Sequence, residues 1–567
     1  MEKAEHQVRQ AEDSNHSQQN DGPVVEDSQP VQHVHLKTVI LLIVGRLDHP
    51  RSSVDAVLTH TQAIVGAYFA QVYHIVGAGF LAGSVTEVVG GGQAKGTWLA
   101  STMTIAAATL GPPVSQAADY WGRKWFVVIL SCFACIGCIV VSRADSIGMA
   151  IAGQAVAALA QGCQPVIHAI ASEIIPRKYR PLAQSCTNTA AALGGLIGLL
   201  VGGALTVNNP AGFRTYWYIA AGFYAITTFI IVLLYHPPVR ELQIKYTTSE
   251  KLARLDWIGY LLFIPGLVLF SFSLTSSISI YPWKSPHILA PLVAGVGLLV
   301  AFFVYEWKFT RTGMLHHDLF SRGRNFVVAE LCIFVEGMVF FASNQYFGFE
   351  IAILYDQNQF KAGLYYTVAW YTLIASTITA GIYCSRSKTI RLPVMLAFGS
   401  FALFDALMAS LNLSTRKNSL GYAVFFGLGL GTALNALVVV AQLSTPPELI
   451  SITTGLMIAT RSFGGTVGLS IYTAIFSSTL TRNLPAKVAS ATIPLGLKPS
   501  YLGELLGALT TGNTAALTKI PGISPKILGA AGIALKQSYA ISFRYVWITA
   551  AAFSALAAIG TLKAPCW

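Results

Sequence analysis

Long apolar runs recur along almost the whole chain, and they constrain the fold more than any other feature of the sequence. A helix needs roughly 20 mostly apolar residues to cross ~30 Å of hydrocarbon, and its backbone polar groups must be satisfied within the segment. The runs lie at 63–84, 98–118, 125–142, 147–171, 184–206, 215–235, 257–275, 288–306, 325–345, 363–383, 392–412, 420–441, 452–476 and 541–562. They predict fourteen transmembrane helices and therefore an all-α membrane protein.

The composition agrees with a chain surrounded by lipid. Hydrophobic residues make up 54% of the 567 residues and charged residues only 11%, and the mean hydropathy is +0.57. The net charge of +12 could suggest a nucleic-acid partner, but the basic residues lie in short loops between apolar runs and form no continuous basic face. We therefore expect membrane lipid, and no nucleic acid, around this protein.

Basic residues concentrate in alternate loops, which indicates the orientation because such loops stay on the cytoplasmic side. The richer set of loops contains Arg123, Lys124, Arg177, Lys178, Arg180, Arg240, Lys245, Lys251, Arg254, Lys308, Arg311, Arg322, Arg324, Arg386, Lys388 and Arg391. This pattern predicts that both termini are cytosolic and that a long loop at 477–540 is extracellular. Its apolar stretches Leu502–Leu509 and Ile527–Leu535 are too short to span, so they predict interfacial helices.

Three segments stand apart from the apolar runs. Residues 1–36 are polar and acidic, which predicts a disordered cytosolic tail, and residues 563–567 form a short tail at the other end. Residues 45–62 are polar and interrupt an otherwise apolar stretch. We interpret residues 45–62 as a retained-intron insert, since their removal keeps the frame and restores a strong first helix.

Motifs of soluble enzymes are missing from the sequence. No Gly-Lys dipeptide occurs, so no Walker A loop can form, and neither HExxH nor GxSxG is found. Cys132, Cys135 and Cys138 have helical spacing within one run, and we interpret them as small membrane residues rather than metal ligands. The sequence predicts no enzyme, no catalytic residues, no cofactor and no metal site.

The loop between the second and third runs carries the most specific motif. Its functional residues are Asp119, Gly122, Arg123 and Lys124. An Asp at a helix end, a tight Gly turn and two cations can form ionic contacts between helices that exist in one gating state only. The segment resembles the cytoplasmic loop motif of the major facilitator superfamily, with Ser115 and Tyr120 as departures. The resemblance predicts a gating loop.

Glycines four residues apart give the fifth run one small-residue face. Gly194, Gly198 and Gly202 form it, with Gly203 beside them, and such a face lets two helices approach closely. It resembles a motif of drug:proton antiporters. The fourth run keeps Gln161 of the corresponding antiporter motif but lacks its Arg, so we expect any proton coupling to use other groups.

Ionisable residues inside the runs are the candidates for coupling or substrate binding, because each is costly to insert and tends to be functional or paired. The set comprises His74, His168, Glu330, Glu336, Asp405 and Arg461. Glu336 is nearest the centre of its run, so it is the first candidate for proton exchange, and Arg461 could be its counter-ion or meet an anionic substrate. Asp405 ranks lower, and both histidines also fit ordinary core residues. Aromatic residues expected near the cavity are Tyr73, Tyr346, Tyr365, Tyr366 and Trp370.

Four further segments resemble the fungal trichothecene efflux pump family, a fourteen-helix branch of the major facilitator superfamily. They are YHPP at 235–238, LDWIGYLLFIPGLVLF at 255–270, YPWKSP at 281–286 and YEW at 305–307. The resemblance implies two six-helix bundles joined by two linker helices. We place the bundles at 37–235 and 325–562 and the linker region at 236–324.

The resemblance implies a monomeric plasma-membrane transporter that exports a toxic secondary metabolite, a small organic solute, in exchange for protons. Two alternatives stay open at this point. Fourteen-helix ferric siderophore importers are close relatives with a similar outer loop. A membrane sensor that no longer transports is the alternative from another class.

Overall fold

The computed structural model describes residues 52–562, apart from 174–178, 238, 240, 280–282, 311–312, 322–323, 356–357, 416, 512–516 and 518–519. Every regular element in the described residues is helical. The predicted 1–36 tail, the 563–567 tail and residues 45–51 of the proposed insert lie outside them. Residues 52–62 form the first turns of α1 (Ser52–Phe80), and the insert hypothesis stays a prediction.

The helices are described in chain order as a first bundle, a linker region and a second bundle, the arrangement that the resemblance implies. The first bundle contains α1, α2 (Ala82–Val89), α3 (Gly92–Trp121), α4 (Arg123–Ser142), α5 (Ile147–Ala158), α6 (Gln164–Glu173), α7 (Arg180–Thr206) and α8 (Phe213–Leu234). A 3-10 segment, Leu159–Cys163, joins α5 to α6. The linker contains α9 (Glu241–Lys245), α10 (Thr248–Ala253), α11 (Trp257–Ser279), α12 (Pro286–Lys308) and α13 (Asp318–Ser321). The second bundle contains α14 (Asn325–Tyr355), α15 (Gln359–Ser387), α16 (Arg391–Ala409), α17 (Asn418–Leu443), α18 (Ile450–Thr492), α19 (Leu502–Thr511) and α20 (Pro525–Leu562).

Among the described residues, eleven helices are long and apolar enough to cross a membrane. The count rises to twelve if Ile64–Phe80 of α1 and the helix α2, which are bent by 58° from each other, together form one span. Twelve predicted runs each coincide with one long helix, whereas the run 63–84 is divided between α1 and α2 and the run 147–171 among α5, the 3-10 segment and α6. Among the long helices, α3 and α18 do not reach the required apolarity. These two helices pack against each other, and their buried polar residues include Ser115 and Gln116 on α3 and Ser451 and Thr453 on α18. Polar residues at this helix contact lower the apolarity of both.

The two bundles meet along two seams. In the first, α7 packs against α15; in the second, α3 packs against α18, where Gly455 lies against Gly111 and Pro112. The linker helix α11 packs on α3 and α18, beside the second seam. The linker therefore covers this seam. The largest hydrophobic core crosses the first seam, because it joins Ala192, Leu196 and Leu199 of α7 to residues of the second bundle, and two further cores lie within the first bundle.

The small-residue face of α7 lies against α1. A side chain at Gly194 would meet the backbone of Phe69 and Tyr73, and one at Gly198 would lie 3.1 Å from the carbonyl oxygen of Tyr73. Gly202 faces Leu81, whereas Gly203 faces Phe360 of α15. These contacts place α1 and α7 close together.

Gly194→Val should destabilise the first bundle, because the added methyl groups would collide with the α1 backbone, which cannot rotate away as a side chain could. Overpacking of this kind typically costs about 1–3 kcal/mol. Thermal unfolding of the purified protein in detergent would measure the loss. Gly222→Val in α8 is the control, since nothing lies within 4 Å of that position; an equal fall in both melting temperatures would contradict the close-packing argument.

The predicted outer loop differs from the structure at both ends. Residues 477–492 continue α18, and 525–540 form the first turns of α20. The stretch Leu502–Leu509 lies in α19 and Ile527–Leu535 in α20, so the second is not a separate interfacial helix. Both contribute to a small hydrophobic core of their own, together with Leu484 and Val488. Apolar residues at helical spacing thus extend α18 and α20 beyond the predicted spans. The segment between these two helices packs against the extensions.

Candidate functional site

A tight turn at Gly122 positions the gating motif. Gly122 ends α3 and precedes α4 with φ of 95°, a backbone conformation that is strained for residues with a side chain. The turn lets α4 begin directly at Arg123, one helical turn after Asp119. Both charged side chains are buried: Asp119 is 7% exposed and Arg123 is 4% exposed.

Arg123 joins three helices of the first bundle and one of the second. Its guanidinium donates to Asp119 Oδ1 at 2.9 Å and to Glu173 Oε1 at 2.8 Å, and it also bonds to Ser451 Oγ. Ser451, at the start of α18, donates in turn to Asp119 Oδ1 at 2.8 Å. We call these four residues the Arg123 cluster. Because Ser451 belongs to the second bundle, the cluster holds one end of the α3–α18 seam closed.

Lys124 lies outside this cluster, so the structure brings together only part of the predicted four-residue set. Its ammonium group donates to the backbone oxygen of Val232 at 2.9 Å, so it caps the end of α8. Glu173 and Ser451 were missed by the sequence analysis. Glu173 is an acid at the end of the fourth run and could have been noticed, whereas nothing in the sequence marks a serine some 330 residues away as a partner of Asp119.

The α7–α15 seam is in contact at both ends. Near the start of α7, Ser185 donates to the backbone oxygen of Thr377 at 2.7 Å and bonds to Asn435. Near the other end of α7, Gly203 faces Phe360 of α15. Between these two ends, Trp370 of α15 packs over Gly195. The two bundles therefore touch along this whole seam.

A small cavity remains between the bundles. Tyr68, Gln164 and His168 form its wall in the first bundle. The other wall consists of Ile333, Glu336, Ala433, Leu434, Leu437, Val438, Met457, Ile458 and Arg461. Its volume of about 20 Å³ accommodates about one water molecule. An organic solute could enter only after the bundles move apart.

A buried ion pair lies in the second wall. Arg461 Nε donates to Glu336 Oε2 at 2.6 Å, and Arg461 Nη2 donates to Glu336 Oε1 at 3.0 Å. The Glu336 side chain is only 1% exposed, and the guanidinium also lies 4.4 Å from the centre of the Phe340 ring. This bidentate geometry is the strong form of a carboxylate–guanidinium contact, so in this conformation each charge compensates the other.

The wall of the first bundle is neutral and polar. Gln164 donates to the hydroxyl of Tyr68 at 3.0 Å, and His168 packs edge-on against the Tyr68 ring. His168 Nδ1 lies 2.7 Å from Gln184 Oε1. The cavity thus has one uncharged wall with hydrogen-bonding groups and one apolar wall with a single ion pair.

The other predicted residues lie away from the cavity. His74 bonds to Gln154 at 3.1 Å inside the first bundle, as expected of a core histidine. Gln161 is 2% exposed in the 3-10 segment, and its amide nitrogen has no hydrogen-bond partner among the described residues. Glu330 lies close to the side chain of Thr460 on α18. Asp405 accepts from Ser554 at 2.8 Å within the second bundle.

Two expectations about the surroundings need correction. None of the five aromatic residues expected near the cavity lines it: Tyr73 stacks on Tyr216 at 4.5 Å, and Tyr346 bonds to Thr473 at 2.7 Å. Tyr68 lines it instead. A buried acid was also missed, because Glu350 lies beyond the predicted end of its run; it accepts from Trp547 Nε1 at 2.7 Å. No group of residues suited to hold a metal ion occurs in the described part of the chain.

The family model of the fungal trichothecene efflux pumps (TRI12) matches residues 45–565. The trichothecene efflux pump TRI12 of Fusarium sporotrichioides is 24% identical over 83% of this chain and 80% of its own length. The MFS efflux transporter aclA of Aspergillus oryzae is 26% identical over 83% of this chain and 82% of its own length. The similarity thus covers most of both relatives.

Solved structures resemble the fold at low sequence identity. The POT family transporter PepTSo superposes with a TM-score of 0.54 at 13% identity, covering 89% of this chain and 99% of that one. The xylose transporter XylE from E. coli, in a partially occluded inward-open conformation, gives 0.53 at 10% identity over 90% and 98%. Likeness at this level of identity establishes the fold alone.

Proposed function

The chain belongs to the fungal trichothecene efflux pump family and has the major facilitator fold, and from this premise we propose that it exports a toxic secondary metabolite by proton exchange. The solute is a small organic molecule, such as a trichothecene-like toxin. The observation that carries the proposal is the Glu336–Arg461 pair, which lies in the only wall of the cavity with charged residues among those described. All fourteen long helices would span the plasma membrane, with both termini and the Arg123 cluster at the cytosolic face.

Closure of the two seams supports a mechanism of alternating access. When the Arg123 cluster opens, the cavity would widen toward the cytosol and admit the solute between the neutral and the apolar wall. When it is closed, as in this structure, the far end of the seams could separate in turn and release the solute to the other side. Relative motion of two rigid bundles around a central site is the general behaviour of this kind of fold.

The ion pair can couple this motion to protons. A proton on Glu336 removes its charge, so the carboxyl group no longer holds Arg461 by ionic attraction, and the guanidinium becomes free to move within the cavity wall. Loss of the proton restores the pair. Each charge that moves inward across a membrane potential gains about 2.3 kcal/mol per 100 mV, which is enough to move a solute uphill. The proton therefore serves as the coupling ion, and no cofactor is required.

Direction of transport is the decisive test. We expect a transporter-depleted yeast that expresses this chain to lose radiolabelled trichothecene faster than the empty-vector strain, and a protonophore to abolish the difference. The reason is that uphill export requires the proton gradient. Net movement would be measured by rapid filtration of the cells.

Ferric siderophore is the second arm of that experiment. Accumulation of siderophore, without loss of toxin, would reverse the proposed direction and favour an importer. Movement of neither compound in cells that carry the protein at the plasma membrane would contradict the export proposal and favour the sensor. Because both arms use the same cells, expression and location are controlled within one culture.

A further inference from the structure

A continuous chain of hydrogen bonds leads from the cavity wall to the contact between the bundles. His168 Nδ1 bonds to Gln184 Oε1 at 2.7 Å, and Gln184 Nε2 donates to Ser172 Oγ at 2.6 Å. Ser172 Oγ donates to Gln442 Oε1 at 2.5 Å, and Gln442 Nε2 donates to Thr454 Oγ1 at 3.1 Å. Since Gln442 lies on α17, the Ser172–Gln442 bond crosses from the first bundle to the second.

The direction of every bond in this chain can be assigned. The amide of Gln184 has two protons; one goes to Ser172 Oγ and the other to the backbone oxygen of His168 at 2.9 Å. Gln184 Oε1 can then only accept, so His168 must carry a proton on Nδ1. In the neutral imidazole, Nε2 is consequently the acceptor. His168 is 2% exposed and lines the cavity.

Nε2 of His168 has no hydrogen-bond partner among the described residues. The described residues show a hydrogen bond at Nδ1 but none at Nε2. His168 lines the cavity, and an acceptor that loses water there without gaining a partner is costly. A bound solute with a hydrogen-bond donor would supply that partner. The chemistry favours a hydroxyl group, because a neutral imidazole nitrogen accepts from a neutral donor and the charged residues that line the cavity, Glu336 and Arg461, compensate each other.

We propose that His168 Nε2 accepts a hydrogen bond from a solute hydroxyl, and that this bond strengthens the closed contact between Ser172 and Gln442. The inference rests on the transport function proposed above and names a feature of its substrate class, a free hydroxyl group. A donor at Nε2 fixes the Nδ1–H tautomer that Gln184 requires, and hydrogen bonds in a chain reinforce one another. The occupied cavity therefore stabilises closure at the side from which the solute entered.

This route differs from that of the Arg123 cluster. The cluster contains the charges of the seam but none of the residues that line the cavity. The chain from His168 to Gln442 has no charges when the imidazole is neutral. It touches the cavity at one end and the α6–α17 contact between the bundles at the other. His168 and Gln184 are thus positioning residues for closure, and His168 also determines specificity.

The reporter is a cysteine at Thr445, one turn beyond Gln442 and 7% exposed, in a chain whose native cysteines are replaced. Reaction of purified protein in nanodiscs with a bulky maleimide would measure how often the seam opens. We expect Ser172→Ala to raise the labelling rate roughly two- to tenfold, the range that one hydrogen bond supplies. Gln442→Leu, which removes the acceptor at similar volume, should do the same. Ser542→Ala is the matched control, because that buried serine bonds only within its own helix.

The solute response tests the cavity end of the chain. A hydroxylated trichothecene should slow labelling of the parent protein, whereas its fully acetylated ester should not, and the slowing should disappear in Ser172→Ala and in His168→Phe. If Ser172→Ala and Gln442→Leu are labelled at the same rate as the parent and respond to the solute in the same way, the inference is overturned. Labelling requires no transport, so a parent that shows these effects but exports nothing would refute only the proposed function. A parent that exports normally without them would refute only the coupling.

Discussion

Glu336→Gln is expected to abolish uphill, proton-driven export while solute still equilibrates down its own gradient. The amide cannot take up and release a proton, so the gradient loses its connection to the bundles. The amide also leaves the Arg461 charge uncompensated in a buried site, and breaking a buried pair costs about 3–5 kcal/mol. Because about 1.4 kcal/mol corresponds to a factor of ten, we expect uphill transport to fall roughly 100-fold or more.

Proteoliposomes separate the two activities of this variant. Radiolabelled trichothecene would be followed once with an imposed pH gradient and once with a solute gradient alone. Glu350→Gln is the matched control, because Glu350 is also a buried acid of α14, at 1% exposure, and its partner Trp547 can donate equally well to an amide. Uphill transport that survives in Glu336→Gln, or that is lost equally in Glu350→Gln, would remove Glu336 from the coupling step.

The helices could be predicted from the sequence because apolarity is a property of each segment alone. Most runs identified by composition coincide with one long helix, and the runs 63–84 and 147–171 are helical but interrupted. One end was wrong where α14 continues to Tyr355 and includes Glu350. The small-residue face of α7 could be found for the same reason, since residues four apart on one helix must share a face. Whether α3 and α18 span could not be decided by apolarity, because both bury polar residues where they meet.

The partners across the seams could not be predicted. Glu336 and Arg461 were matched because opposite charges inside spans are few, which leaves little choice of partner. Neutral residues offer no such restriction. Ser451 and Gln442 belong to the seam only because α17 and α18 approach α6 and the end of α3 in three dimensions. Their roles depend on how the two bundles are arranged, and no local sequence pattern predicts that arrangement.

Arg123→Ala should open the seam between α3 and α18 and reduce export at least as strongly as the loss of the proton site. Removal of the guanidinium leaves Asp119 and Glu173 together without the cation that bridges them, and it takes a donor from Ser451. Breaking a buried ion pair such as Arg123–Asp119 costs about 3–5 kcal/mol, and this cost falls on the conformation in which the cluster is closed. The population of that conformation should therefore fall roughly 100- to 1000-fold.

Two neighbouring variants make the Arg123 prediction specific. Arg123→Lys keeps the charge but cannot hold both carboxylates with one planar fork, so it should restore export only in part. Lys124→Ala removes the adjacent cation, which bonds only to the backbone of α8, and should leave export near that of the parent. Export rates in yeast and maleimide labelling at Thr445→Cys would be measured for all three variants. Equal losses in Arg123→Ala and Lys124→Ala would mean that these cations act by setting the orientation of the chain in the membrane, and that the cluster is no gate.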